Sequence, residues 1–383
     1  MRFTSASRLV TRLVAPALGA LTALSLLGFT TQAHAASQLA GHVYVLDNPA
    51  GQNSITVYNR FADGTLQYVA DTAIGGLGTG NPLGSQGSLT LAGDRLFAVD
   101  GGSDQISVIN AHDGALTLDG VYSSYGALPV SVTYRDGFLY VVNSGSASQA
   151  ANVVGFRVGE HGALAPITGA DVALSAAQPG PAQVALSPDG STLAVTEKAT
   201  NLVDTFRVAE NGSLGDRVSV ASSGETPFGF SFNPAQPREL VVADAYGGAI
   251  DASAVSSYRV GAAGAVSNGA PVADYQTAAC WLVITANGKF AYTANAGSGT
   301  ISGYRLSNSG GLSLLDASGL TASTGAASHP LEMTFSPDNA YLYVLDAGTH
   351  TLSGFAVAHN GALSPITLAG VSLQAGAVGL AAD

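Results

Sequence analysis

The sequence predicts an all-β fold, a seven-bladed β-propeller of four-stranded blades, on three observations. A turn followed by Gly-x-Leu or Gly-x-Val recurs seven times, at Gly64, Gly114, Gly162, Gly212, Gly264, Gly310 and Gly361. Successive glycines lie 50, 48, 50, 52, 46 and 51 residues apart, and a fixed period of this size marks stacked supersecondary units. Composition agrees: 46% of residues are hydrophobic and only 10% charged, against roughly 25% charged in an average soluble domain, which favours a packed, turn-rich chain.

Each unit reads as four short strands. In the last complete one, Leu331–Phe335 alternates as a strand should, Ser336-Pro337-Asp338-Asn339 is a turn signal, and Tyr341–Leu345 and Leu352–Val357 supply two more strands. A tight turn at His359-Asn360-Gly361 leads to a fourth strand from Leu363. The fourth unit repeats the order, with Val184 opening its first strand, Ser187-Pro188-Asp189-Gly190 as the turn, then Leu193–Thr196 and Val203–Val208. The first unit begins instead with His42–Asp47, which matches a second strand elsewhere. Its missing inner strand is offered by Ala377-Val378-Gly379-Leu380, so the ring is expected to close by pairing the C-terminal strand with the N-terminal blade, removing open sheet edges.

Residues 1–35 read as a signal peptide and 36–383 as the propeller. Arg2, Arg8 and Arg12 precede an apolar run from Leu13 to Phe29, and Ala33-His34-Ala35 is a small-x-small cleavage site. The expected location is secreted or periplasmic, with no membrane attachment after cleavage. The leader holds three of the 14 basic residues and none of the 26 acidic ones, so its removal makes a chain of net charge −12 more negative still. That balance argues against nucleic acid as a partner, because phosphate binding needs clustered Lys and Arg. The single cysteine, Cys280, rules out an internal disulfide.

In a propeller, the loops joining second to third strands and those entering the next blade share one face around the channel. On that face each second strand ends in a polar residue: Asp47, Asp100, Asn143, Glu197, Asp244, Asn295 and Asp346. Such side chains cap loops by accepting local hydrogen bonds, or else they form an acidic mouth that attracts a cation or cationic ligand. On blade seven, His329, Glu332, Asp346 and His350 are expected near one another, a set suited to proton transfer or a divalent cation. Trp281 is placed near the channel mouth with Phe228 nearby, and Lys198 is the one basic side chain assigned there. The candidate catalytic residues are Glu197, His329 and His350. The candidate ligand-binding residues are Lys198, Asp244, Trp281, Glu332 and Asp346, with no metal set identified.

The repeated units with Ser187-Pro188-Asp189-Gly190, Tyr343-Val344-Leu345-Asp346 and Gly361-Ala362-Leu363-Ser364 resemble the lactonase family of seven-bladed propellers, which includes 6-phosphogluconolactonases and 3-carboxymuconate cyclases. The resemblance covers essentially residues 42–383 and implies a lactonase or cyclase activity. The residues that carry the family's chemistry are replaced. Gly180-Pro181-Ala182 stands for its His-Pro-His, Glu197-Lys198-Ala199-Thr200-Asn201-Leu202 for its Asp-Leu-Gly-x-Asp-Arg, and Asp244-Ala245 for its Asn-Glu. Asn295-Ala296-Gly297-Ser298 and His329-Pro330-Leu331 likewise lack the Arg and His of its Asn-Arg-Gly-His and the Arg of its His-Pro-Arg. Anionic substrates need arginines to hold carboxylate or phosphate, so the expected substrate is a lactone or related cyclic ester of neutral character. The alternative is a non-catalytic propeller whose acidic mouth binds a cation, a sugar or a protein partner.

Overall fold

The structure is a computed structural model and describes residues 37–383; the expected signal peptide lies outside the described residues. Seven antiparallel sheets follow one another along the chain. From the channel outwards, blade two holds Leu89–Ala92, Arg95–Asp100, Gln105–His112 and Ala115–Ser123, and blade three Pro129–Arg135, Phe138–Asn143, Asn152–Val158 and Leu164–Ala173. Blade four holds Pro181–Leu186, Thr192–Glu197, Leu202–Arg207 and Val218–Ala221, and blade five Pro227–Asn233, Gln236–Asp244, Ala254–Gly261 and Gly264–Ser267. Blade six holds Ala279–Ile284, Phe290–Asn295, Thr300–Leu306 and Leu312–Leu314, and blade seven Pro330–Phe335, Tyr341–Asp346, Thr351–Val357 and Leu363–Ile366. In blades five and six a two-residue strand, Val272–Ala273 or Ala322–Ser323, also pairs with the third strand.

Blade one is the closing blade. Its inner strand is Gly379–Ala382, paired antiparallel with Leu39–Leu46 in the register Val43↔Ala382 to Leu46↔Gly379. The strand starts two residues later than the sequence reading placed it, because Ala377 and Val378 serve as the buried approach to the blade. The closure is bolted at its far end: Arg60 Nε donates to the Asp383 carbonyl at 2.9 Å and Tyr44 Oη to Asp383 Oδ2 at 2.8 Å.

The marker glycines owe their recurrence to backbone geometry. All seven have φ between +74° and +93°, which L side chains adopt at a cost. At Gly64 a Cβ would also fall 2.4 Å from the Tyr341 ring of blade seven, so the turn packs against its neighbour as well as reversing the chain. Between blades, alternating residues of the second and third strands bury Tyr44, Tyr140, Tyr292 and Tyr343 and Phe97, Phe156 and Phe206 almost completely. Three of these tyrosines use the hydroxyl as a strut to a turn carbonyl of the next blade: Tyr140 to Gly212, Tyr292 to Gly361 and Tyr343 to Gly64, at 2.7 to 2.9 Å. A buried ring with a satisfied hydroxyl joins neighbouring blades without leaving a polar orphan. No described helix is long and apolar enough to cross a membrane.

Candidate functional site

The polar residues that end the second strands point into their blades. All seven are at most 1% exposed. Asp47 accepts from Ser54 Oγ at 2.6 Å and Thr56 Oγ1 at 2.8 Å, Asp100 from Ser107 Oγ at 2.7 Å and Asn53 Nδ2 at 3.0 Å, and Asp346 from Ser353 Oγ at 2.5 Å. Asp244 accepts from Ser256 Oγ, and Asn295 donates to Thr300 and Ser302. Burial pushes Asp47 and Asp100 up to about 6, Asp346 to about 7 and Asp244 to about 8, against the hydrogen bonds that hold them down. These side chains are internal ties between second and third strands, so of the two sequence readings the structure shows local hydrogen bonding, and Asp244 and Asp346 do not line an acidic mouth.

Blade four departs from the pattern. Glu197 accepts from the Ser175 backbone N–H at 3.0 Å and from the hydroxyls of Ser175 and Thr200. The third-strand position that supplies Ser107, Ser256, Ser302 or Ser353 elsewhere is here Asp204, opposite Val195. Asp204 is fully buried and neither of its oxygens has a conventional hydrogen bond. Burial and the neighbouring Glu197 carboxylate push it up to about 7, opposed by Ser219 and by Arg217, whose Nε lies 3.6 Å away. Asp204 thus stands where the other blades place a serine hydroxyl, as a buried carboxyl held well above the usual carboxylate range.

The blade-seven set expected from the sequence does not converge. His329 is exposed and its Nδ1 lies 3.0 Å from the Ala296 carbonyl. His350 is exposed in the next loop, where its carbonyl accepts from Leu373 N at 2.7 Å. Glu332 is buried on the inner strand of its blade, and Asp346 is tied to Ser353. Among the described residues no three His, Cys, Asp or Glu side chains are arranged to hold a metal ion.

What the structure does assemble is the channel mouth. The segment Gly84 to Ser88, between blades one and two, crosses the channel. Gln86 Nε2 donates to the Leu282 carbonyl at 2.8 Å and its Oε1 accepts from Leu282 N at 2.9 Å, while Gln86 N donates to the Ala182 carbonyl at 2.9 Å. Gly87 N donates to Glu332 Oε2 at 2.9 Å, and burial pushes that carboxyl up to about 8. Gly229 makes the crossing possible, since a Cβ there would lie 2.0 Å from Gln86 Oε1. Trp281 Nε1 donates to the Ser85 carbonyl at 2.9 Å, fixing the indole on this plug.

Against the plug, Phe228 and Trp281 pack with their rings tilted by 52° and centroids 4.9 Å apart, and Lys198 Nζ sits 4.7 Å over the Phe228 ring while donating to the Gly84 carbonyl. Ala182, Ala245, Cys280 and Leu331 complete an apolar collar. Burial lowers the Lys198 amine to about 8, so free amine and ammonium are both populated near neutrality. The same burial pushes the Cys280 thiol up to about 12, which leaves it protonated and unreactive. A half-buried amine on an aromatic face can polarise a carbonyl or exchange a proton with water. Of the residues singled out in the sequence, Lys198 and Trp281 meet here with Glu332 just beneath. Glu197, His329 and His350 do not meet one another.

The Lactonase family of seven-bladed β-propellers matches residues 88–252 and 242–378, more than half of the chain. The chain belongs to the lactonase family. The fold is shared with a 6-phosphogluconolactonase described as putative from Bacteroides fragilis NCTC 9343, at TM-score 0.71 and 16% identity over 90% of this chain and 98% of that one. It is also shared with the periplasmic gluconolactonase PpgL of Pseudomonas aeruginosa, at TM-score 0.69 and 18% identity over 89% of this chain and 98% of that one. No curated protein matches the sequence. Within the lactonase propeller, the plug residue Gln86 escaped the sequence reading, although Gln86-Gly87-Ser88 occupies the slot of Pro181-Ala182-Gln183 and Pro330-Leu331-Glu332.

Proposed function

We propose that this lactonase-family protein acts outside the cytoplasm and hydrolyses, or in reverse closes, an uncharged lactone at the channel mouth. The observation that carries the reading is Lys198: a half-buried amine, lowered to about 8, lying over Phe228 beside Trp281. The remaining described Lys and Arg residues with a strand assignment, such as Arg95, Arg135, Arg207 and Arg259, lie toward the hairpin-turn ends of their strands. A phosphate or carboxylate on the substrate therefore has no guanidinium clamp at this mouth.

In the hydrolytic direction the free Lys198 amine takes a proton from the water that attacks the lactone carbonyl carbon. The ring C–O bond then breaks, and the resulting ammonium returns a proton to the departing alkoxide, giving the open hydroxy acid. Glu197 is less suited to the role, since three donors already occupy its carboxylate, and His329 and His350 stand exposed on their loops. The leader read at residues 1–35 supports an extracytoplasmic setting.

The test is a comparison of glucono-δ-lactone with 6-phosphogluconolactone, using the mature protein and Lys198→Met. Turnover of the uncharged lactone that falls about 10²-fold or more in the variant, with negligible turnover of the phosphorylated one, supports the reading. Equal turnover by the variant, or preference for the phosphorylated substrate, overturns it. N-terminal sequencing of secreted material starting at Ala36 tests the location; retention of the leader on cytoplasmic protein contradicts it.

A further inference from the structure

The face opposite the mouth, where the hairpin turns lie, carries cavities of a different character. In blades three and six the arginine near the end of the third strand is spent on structure. Arg157 stands opposite Phe138, its guanidinium 4.9 Å above that ring, and donates to the Asn211 carbonyl of the next blade at 3.3 Å. Arg305 repeats this with Phe290 at 5.0 Å and the Asn360 carbonyl at 3.4 Å.

Blades four and five break the rule. The residue opposite Arg207 is Thr192 and the residue opposite Arg259 is Glu239, so neither guanidinium has a ring to lie on. Both are exposed, as is Arg238, and among the described residues none of the three makes an ion pair or a side-chain hydrogen bond. They border two cavities that share Asp189, Pro237 and Arg238 as a wall. The one of about 340 Å³ is lined by Arg238 and Arg259, and the one of about 520 Å³ by Arg207 and Arg238.

The first cavity also has a polar floor. Glu239 is 5% exposed; its Oε2 is fixed by Asn233 Nδ2 at 2.6 Å, and its Oε1 is buried without a partner. Asn268 stands on the wall, donating through Nδ2 to Ser257 Oγ at 3.1 Å, and that hydroxyl in turn holds the Gly310 carbonyl. A buried carboxyl oxygen left unpaired is costly. Two unspent guanidiniums above it attract an anion.

We propose that the cavity between blades five and six is a second binding site, for a polyhydroxy carboxylate. Its carboxylate lies between Arg238 and Arg259, and a hydroxyl reaches Glu239 Oε1 with Asn268 alongside. The cavity is of a size usual for one small ligand. This inference stands apart from catalysis at the mouth, because the opposite face and none of the mouth residues make the site.

The probe is D-gluconate, titrated calorimetrically against the mature protein, with glucose and acetate as controls that carry only hydroxyls or only the carboxylate. Saturable gluconate binding weakened at least tenfold in Arg259→Gln and in Arg238→Gln, unchanged in Lys198→Met, and absent for both controls is the expected result. The arginines are exposed, so the variants are checked for an unchanged circular dichroism spectrum and melting curve. No saturable binding by the unmodified protein, equal binding of acetate, or binding lost in Lys198→Met but kept in the arginine variants overturns the proposal. Loss of lactone turnover has no bearing on it, which keeps the two readings separable.

Discussion

Replacing Asp204 with Asn tests whether blade four depends on a shared proton. Asp204 occupies the site of a serine hydroxyl in other blades, has no conventional hydrogen bond, and is pushed up to about 7 by burial and by Glu197. A folded-state value above the unfolded one, near 4 for a free Asp, means that the proton stabilises the folded protein. That stabilisation is fully present below about pH 4 and is lost as pH rises through about 7. A separation of about three pH units sets an upper limit of about 4 kcal/mol. Relaxation and water entry reduce this to about 1–2 kcal/mol between pH 5 and pH 8. The amide of Asn is uncharged at every pH, so Asp204→Asn should match the wild type near pH 5 and exceed it at pH 8. At about 2 °C per kcal/mol for a chain of this size, the melting temperature should differ by a few degrees at pH 8. Urea unfolding and thermal melts across pH 4–9 measure this directly. Asp244, Glu332 and Asp346 add a common slope to both proteins, so the difference between the two curves is the readout. Parallel curves, or a variant less stable at pH 8, would refute the shared-proton account.

Three further outcomes follow from the same geometry. Deleting residues 379–383 removes the inner strand of blade one and the Asp383 ties to Tyr44 and Arg60, so insoluble or protease-sensitive protein is expected, and an unchanged melting curve would contradict closure by this strand. Gly229→Leu drives a side chain into Gln86 Oε1 and should destabilise the channel plug by about 1–3 kcal/mol, read by denaturant unfolding and by blue or red movement of Trp281 fluorescence; an unaltered emission maximum would argue against the plug. Cys280, buried and pushed up to about 12, should react with a thiol reagent at pH 8 only on unfolding, so rapid labelling of the native protein would show that the collar is open.

The architecture was legible because its signals are local. The seven glycines announce hairpin turns through a positive φ that other residues avoid, and the odd first unit announced closure by its missing strand. The orientation of the second-strand polar residues was not legible from their positions, since a strand-end Asp reads alike as a cap or as a ligand. The deciding signal lies seven residues on, in Ser54, Ser107, Ser302 and Ser353, which become partners only once the second and third strands are paired. The same comparison exposes Asp204 as the exception. The plug was harder still, because Gln86 meets Leu282 across 196 positions and no local pattern encodes that meeting. Lys198 and Trp281 were found by their rarity on the loop face, whereas grouping His329 with His350 assumed that neighbours in one blade share a direction.

The pH dependence of kcat/KM for an uncharged lactone, measured for the wild type and for Lys198→Met, bears most directly on the central claim. With Lys198 as the base, lowered to about 8, the rate should rise with pH to an inflection near that value and then level off. In the variant the rate should fall by about 10²-fold or more and show no such inflection. A wild-type profile that is flat across pH 6–10, or an inflection that persists unchanged in Lys198→Met, would contradict the assignment of catalysis to the channel mouth.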